Sequence, residues 1–171
     1  IYAGAQKNLG TSGATLVIMK ESLLGKVQRA IPTMLDYRSH IKDNSLHNTP
    51  STFAIYVCML TLRWLKEQGG ITAMEKRNRA KAALLYAEID RNALFEGNVA
   101  VEDRSLMNIP FRLPSEELEE TFAKEAKKNN LIGLKGHRSV GGMRASVYNA
   151  VTVEGAKALV DFMKEFQKKN G

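Results

Sequence analysis

The chain has 171 residues, 44% hydrophobic and 25% charged, with 13 glycines and 4 prolines. This excludes a disordered tail, a collagen-like repeat and a small disulfide scaffold, and the length suffices for a core burying roughly 70% of the unfolded surface. Twenty-five lysines and arginines against 18 acids give a net charge of +7, which suits nucleic acid, an anionic surface or small anionic substrates.

The sequence opens at Ile1 with no initiator methionine, basic stretch or signal-type apolar segment, and so reads as a piece of something longer. Residues 2–5 read as the end of a strand, and Lys7 follows where that strand gives way to a glycine-rich loop. After the turn Gly10-Thr11-Ser12-Gly13, the apolar run 15–19 predicts a strand buried on both faces. Residues 32–50 are polar and irregular. Ser51 then starts a helix reaching about Lys66 that is apolar almost all round, which predicts a central position. Its apolar stretch, residues 53–62, falls well short of the ~20 residues that span a bilayer, so no membrane segment is expected. The single cysteine, Cys58, lies in that stretch, which excludes an intrachain disulfide and a cysteine-based zinc site and points to a reducing compartment.

Gly69-Gly70 is the candidate hinge, with one domain over residues 1–69 and another over 70–171. A helix is predicted over 71–91, then a strand over 106–113 in which Met107, Ile109, Phe111 and Leu113 alternate with polar or small residues. Pro110 pushes that strand toward an edge or a bulge. Ser115 opens a helix with Leu118, Phe122 and Ala126 on one stripe and a glutamate expected at the capping-box position. The closing helix repeats the spacing with Val153, Ala156, Val160, Met163 and Phe166, so the second region reads as a two-layer α+β unit with a short sheet. The basic clusters Lys76, Arg77, Arg79, Lys81 and Lys124, Lys127, Lys128 have acids nearby and no interleaved aromatics; they read as solvated helix faces, against nucleic-acid binding.

Three places could carry chemistry. Lys7, flanked by small residues, is open to a phosphate contact, a nucleophilic amine or a plain solvated charge; a P-loop is excluded because this lysine precedes its glycine. In the glycine-rich segment 134–148, His137, Arg138 and Arg144 gather with no acid between them, and Arg144 alternates with Met143, Ala145 and Val147, so it faces away from the apolar side. Such a group suits a carboxylate or phosphate. Asn48 and Thr49, in His47-Asn48-Thr49-Pro50 ahead of the central helix, read either as a turn and cap or as a phosphate contact at a helix start. A Ser12, His40, Asp36 triad lacks any nucleophile elbow, and the three histidines lack metal-ligand spacing, so no metal is expected.

Gly4-Ala5-Gln6-Lys7-Asn8-Leu9-Gly10, His47-Asn48-Thr49-Pro50 and the run from Gly136 to Asn149, in this order, closely resemble the phosphoserine aminotransferase family. The resemblance covers the whole chain and matches the C-terminal half of those enzymes. It implies an α/β fold: the C-terminal part of a fold type I aminotransferase large domain, followed by a small α+β C-terminal domain. One departure is Gly10-Thr11-Ser12-Gly13, where the family usually has Gly-Pro-Ala-Gly. By resemblance, Lys7 bonds to pyridoxal 5'-phosphate, Gln6 contacts its phosphate, and Asn48 and Thr49 reach the cofactor phosphate of the partner subunit in a cytoplasmic homodimer. Arg144 holds the substrate α-carboxylate, and His137 and Arg138 help hold the distal anion. The implied reaction passes the amino group of glutamate to 3-phosphohydroxypyruvate, giving phosphoserine and 2-oxoglutarate, for serine and also pyridoxal phosphate synthesis. These residues alone are expected not to turn over. The rival expectations are a non-catalytic domain binding phosphorylated ligands and an aminotransferase of a related class.

Overall fold

In the computed structural model, which describes residues 1–171, the chain begins with a ribbon of two antiparallel strands, β1 (Tyr2–Gly4) and β2 (Thr15–Val17), in the register Tyr2↔Val17 and Gly4↔Thr15. The segment between them folds back on one buried residue. Ala5 donates its N–H to the Ala14 carbonyl at 3.0 Å, and its own carbonyl accepts from Lys7 N and Gly10 N, both at 2.7 Å. Gly13, at φ +110°, makes the return turn in a conformation that L side chains rarely adopt.

Several expectations for this region need correction. The 15–19 run is not buried on both faces, because β2 pairs only with β1, and Leu16 and Ile18 stand about half exposed. Residues 32–50 are not wholly irregular either. They contain the short helix α1 (Tyr37–Lys42), capped by Asp36, whose carboxylate accepts from the Arg38 N–H. The helix α2 (Thr52–Glu67) forms one residue later than expected. Its only buried residue is Ala54, while Phe53 is 70% exposed and Ile55, Tyr56, Leu60 and Leu62 are also open. The central placement is therefore not seen: an apolar circumference calls for neighbours on every side, and no element of the first unit covers those faces. No helix is long and apolar enough to cross a membrane.

The chain divides into Ile1–Glu67 and Gln68–Gly171. The second unit starts with α3 (Gly70–Arg91), which presents Met74, Ala82, Leu85 and Ile89 inward. It continues through β3 (Asn108–Phe111), α4 (Glu116–Lys128), β4 (Met143–Ser146) and α5 (Val153–Asn170). The strands β3 and β4 pair antiparallel, Ile109 opposite Ala145 and Phe111 opposite Met143, and these four residues are buried. Pro110 lies opposite Arg144. Its missing N–H leaves no gap, because Arg144 directs its own N–H outward to the Leu134 carbonyl at 2.7 Å, so this is a pair without mutual hydrogen bonds.

Phe122 of α4 sits at the centre of the core with no exposed surface and meets Phe95, Phe111 and Phe166 edge to face, at centroid distances of 5.6, 5.9 and 5.0 Å. This geometry sets ring edges against ring faces, the favourable arrangement of their quadrupoles. The α5 spacing read from the sequence is realised: Ala156, Val160, Met163 and Phe166 are buried, joined by Leu159. At the start of α4, Ser115 Oγ accepts from the Leu118 N–H at 3.2 Å. The capping box is incomplete, since Leu118 occupies the position of its glutamate; Glu119 instead takes the N–H of Leu113 at 3.4 Å.

Lys81 departs furthest from expectation. It is 1% exposed, not on a solvated face. Its ammonium donates to the carbonyls of Val147, Tyr148 and Val151 at 2.8–2.9 Å, which answers the desolvation that would otherwise expel it. Burial pushes its pKa below the ordinary lysine value.

Arg104 closes the loop after α3. Its two terminal nitrogens donate to the two Asp90 oxygens at 2.7 and 2.6 Å, and its guanidinium lies 4.5 Å from the Tyr86 ring centroid. The Arg104 hydrogen bonds hold the Asp90 carboxyl below its usual range. A carboxylate with a depressed folded pKa contributes stability that is complete above its unfolded pKa and lost as pH falls through the folded one. Arg104→Leu should therefore lower the melting temperature at neutral pH and flatten its fall in acid over the range where Asp90 titrates; parallel wild-type and variant curves of melting temperature against pH would contradict this.

Candidate active site

Lys7 stands on the bend that follows β1, its side chain exposed, and its backbone N–H is fixed by the Ala5 carbonyl. Gln6 is exposed beside it and folds back over Gly4, where a Cβ would collide with the Gln6 amide oxygen. Gly10 is equally constrained, since a Cβ there would approach Cys58 Sγ to 3.0 Å. The ribbon and α2 thus grip the loop from both ends, and a lysine amine projects from a backbone with little freedom. The Gly10-Thr11-Ser12-Gly13 turn forms without the proline that the family usually carries.

Asn48 and Thr49 are exposed in the bend before α2. Sequence reading passed over what holds that bend: His47 Nδ1 lies 2.5 Å from Asp43 Oδ2, and Asn44 and Ser45 both have positive φ, 49° and 67°. Two consecutive non-glycine residues in the left-handed region are strained, and such strain persists only where the surroundings enforce it. The Ser12, His40, Asp36 triad does not form, since Asp36 is bound to Arg38 and His40 Nε2 lies 2.9 Å from the Met34 carbonyl. No three His, Cys, Asp or Glu side chains gather as a metal site requires.

In the second unit, His137, Arg138 and Arg144 share one loop and strand. Gly136 N donates to the Gly142 carbonyl at 2.8 Å and closes the loop at its base, while the His137 carbonyl accepts from both Val140 N and Gly141 N. Gly136 has to be glycine: a Cβ would collide with the Gly141 carbonyl oxygen and lie 2.8 Å from that of Gly142. His137 Nδ1 lies 2.7 Å from Ser139 Oγ and 3.3 Å from the Ser139 backbone N, so the ring is held against its own loop. Arg138 is exposed at the tip. Arg144 follows on β4 with its side chain on the face opposite Met143 and Ala145, and its Nε is buried with no acceptor. A buried guanidinium N–H without an acceptor costs about 1–3 kcal/mol until an anion meets it. Arg112, unremarked in the sequence, donates to the Val140 carbonyl and lies against Gly141 and Gly142. Its signal was present in the alternation of residues 106–113, which puts Arg112 on the same side as the polar partners.

A family profile described as Aminotransferase class-V matches residues 1–159. The chain belongs to the class-V aminotransferases. Phosphoserine aminotransferase of Flavobacterium johnsoniae is 59% identical over 169 residues, which cover 99% of this chain and 48% of that protein. Among solved structures, phosphoserine aminotransferase from Bacillus circulans subsp. alkalophilus superposes with a TM-score of 0.94 at 51% identity, over 99% of this chain and 47% of that one. A pyridoxal-phosphate-bound phosphoserine aminotransferase from Trichomonas vaginalis superposes with a TM-score of 0.90 at 40% identity, over 95% of this chain and 47% of its own. The chain therefore spans about half the length of the relatives it matches, and its fold is that of the corresponding part of a fold type I aminotransferase.

In this class-V aminotransferase chain the 136–142 loop depends on close backbone approach. Gly136→Ala should break the Gly136–Gly142 hydrogen bond and speed amide exchange at Gly136, Val140 and Gly141 by about tenfold or more, the equivalent of ~1.4 kcal/mol. Wild-type protection at those three amides would show that the loop tolerates a side chain there.

Proposed function

We propose that this chain is the C-terminal half of a phosphoserine aminotransferase, with residues 1–69 completing the large pyridoxal-phosphate-binding domain and 70–171 forming the small domain. The full-length enzyme is a cytoplasmic homodimer that passes the amino group of glutamate to 3-phosphohydroxypyruvate, yielding phosphoserine and 2-oxoglutarate, in serine and pyridoxal phosphate synthesis. The observation that carries the reading is Arg144, whose buried Nε has no acceptor in a chain 59% identical to a phosphoserine aminotransferase.

The donor set fits pyridoxal 5'-phosphate. Lys7 offers a primary amine for its aldehyde, Gln6 an amide N–H for its phosphate, and Asn48 and Thr49 an amide and a hydroxyl for the phosphate held by the partner subunit. When bound, the cofactor supplies the electron sink for the electrons left at the substrate α-carbon. Lys7 Nζ holds the cofactor in the resting enzyme and, once freed, moves the proton at the substrate α-carbon. Arg144 takes the α-carboxylate in its planar fork and so fixes the orientation of the bound substrate. His137 Nε2 and Arg138 meet the far end of the substrate, a γ-carboxylate in glutamate and a phosphate in phosphoserine, and one basic loop serves both. The other contacts to cofactor ring and phosphate belong to the half of the enzyme outside this chain, so these 171 residues by themselves have no useful turnover.

Borohydride reduction of the full-length holoenzyme followed by peptide mapping tests the assignment of Lys7: the pyridoxyl group should be found on that residue, and a label on any other lysine refutes it. Arg144→Ala should depress kcat/KM for glutamate and phosphoserine alike, by an amount equivalent to about 2–5 kcal/mol. Arg138→Ala and His137→Ala should harm donors with a distal anion more than alanine; equal losses across all donors would end that division of labour.

A further inference from the structure

Lys81 is the one basic residue of its α3 cluster that turns inward; Lys76, Arg77 and Arg79 are exposed. Its ammonium donates to three backbone carbonyls, those of Val147 at 2.9 Å, Tyr148 at 2.8 Å and Val151 at 2.9 Å. An apolar side chain of similar length would fill the same space without desolvating a charge, so what the ammonium adds is directional. Where a strand ends, its carbonyls lose their ladder partners. Here three of them, spread along the link from β4 to α5, converge on one point of α3.

The same helix face adds a second tie. Asn78 Nδ2 donates to Asn149 Oδ1 at 2.9 Å, and Asn78 is 5% exposed. From the other side, Val147 N donates to the Met107 carbonyl at 2.8 Å, and Ser146 Oγ and Tyr148 OH donate to Asn108 Oδ1 at 3.1 and 3.2 Å. The link is held between α3 and β3. Arg144 lies on the same strand just ahead of it, and the strand's other end is the closed loop of Gly136 and Gly142. Displacement of β4 along its axis therefore moves Arg144 and must also pull the three carbonyls off Lys81.

We propose that Lys81 is a positioning residue for the Arg144 carboxylate site: by gathering the carbonyls of Val147, Tyr148 and Val151 it fixes β4 and so the reach of the Arg144 guanidinium. The proposal rests on the reading of Arg144 as the α-carboxylate contact. Lys81 touches neither substrate nor cofactor in this scheme, and acts through the strand.

The test uses the full-length holoenzyme. Lys81→Met keeps most of the unbranched side chain and removes all three donors. It should raise KM for glutamate and weaken 2-oxoglutarate binding, read by calorimetry, each by about tenfold, while kcat changes by less than about threefold. In an Arg144→Lys background the same substitution should add less than about twofold, because the two residues act on one contact. A folded Lys81→Met enzyme with wild-type KM and affinity, beside an impaired Arg144→Lys enzyme, overturns the positioning role alone. Full additivity of the two substitutions also overturns it. Wild-type substrate affinity in Arg144→Lys overturns the carboxylate reading and the proposal with it. Should Lys81→Met fail to fold, Lys81→Gln, which retains an amide donor, is measured in its place with an intermediate rise in KM expected; failure of both to fold overturns the proposal, since Lys81 would then hold the fold and not the site.

Discussion

A sheet of two strands packed on helices can hide one face only, and the second unit is organised by that constraint. Period-2 alternation sends Ile109, Phe111, Met143 and Ala145 into the aromatic cluster around Phe122. The intervening residues must then face the other way. Arg112 and Arg144 are brought to that side by the same alternation that builds the core, so core and charged face are two products of one pattern. The hydrophobic side makes the charged side rigid: each arginine projects from backbone whose neighbours in the chain are locked on the far face.

The first unit shows what happens when an element is patterned for neighbours it does not have within the chain. Leu16 and Ile18 on the ribbon, and Phe53, Ile55, Tyr56, Leu60 and Leu62 on α2, remain exposed. Scattered apolar surface is ordinary in folded proteins, but apolar residues concentrated around one helix are the signature of an intended interior. The relatives are about twice as long as this chain, which supplies a reason for a buried-type pattern to appear on an open surface.

Local periodicity was the legible part of the sequence. The α5 spacing, the alternation along β4 and the Ser115 cap each depend on residues within a turn or a strand of one another, and each is realised. The burial of Lys81, which escaped, depends on distant chain. Lys81 sits among exposed cations and differs from them only because carbonyls 66–70 positions later come to meet it. The strain at Asn44 and Ser45 and the Asp43–His47 contact are equally invisible to composition or period. Of the candidate site, the residue types and their glycine-rich surroundings could be read directly as anion-seeking, whereas their separate roles came from family resemblance and not from spacing. The incomplete capping box shows the reverse error: a motif was expected from composition near Ser115, and the position that decides it holds Leu118.

The closure of the 136–142 loop also separates two kinds of heritable change. His137, Arg138, Ser139 and Val140 are all exposed, and the hydrogen bond from Gly136 to Gly142 closes the loop at their base. Substitutions at these tip positions can change the charge and shape of the loop while the aromatic core and the strand register stay as they are. Descendants of this sequence could therefore vary at the tip while selection for foldability acts mainly on the two glycines and the strand below.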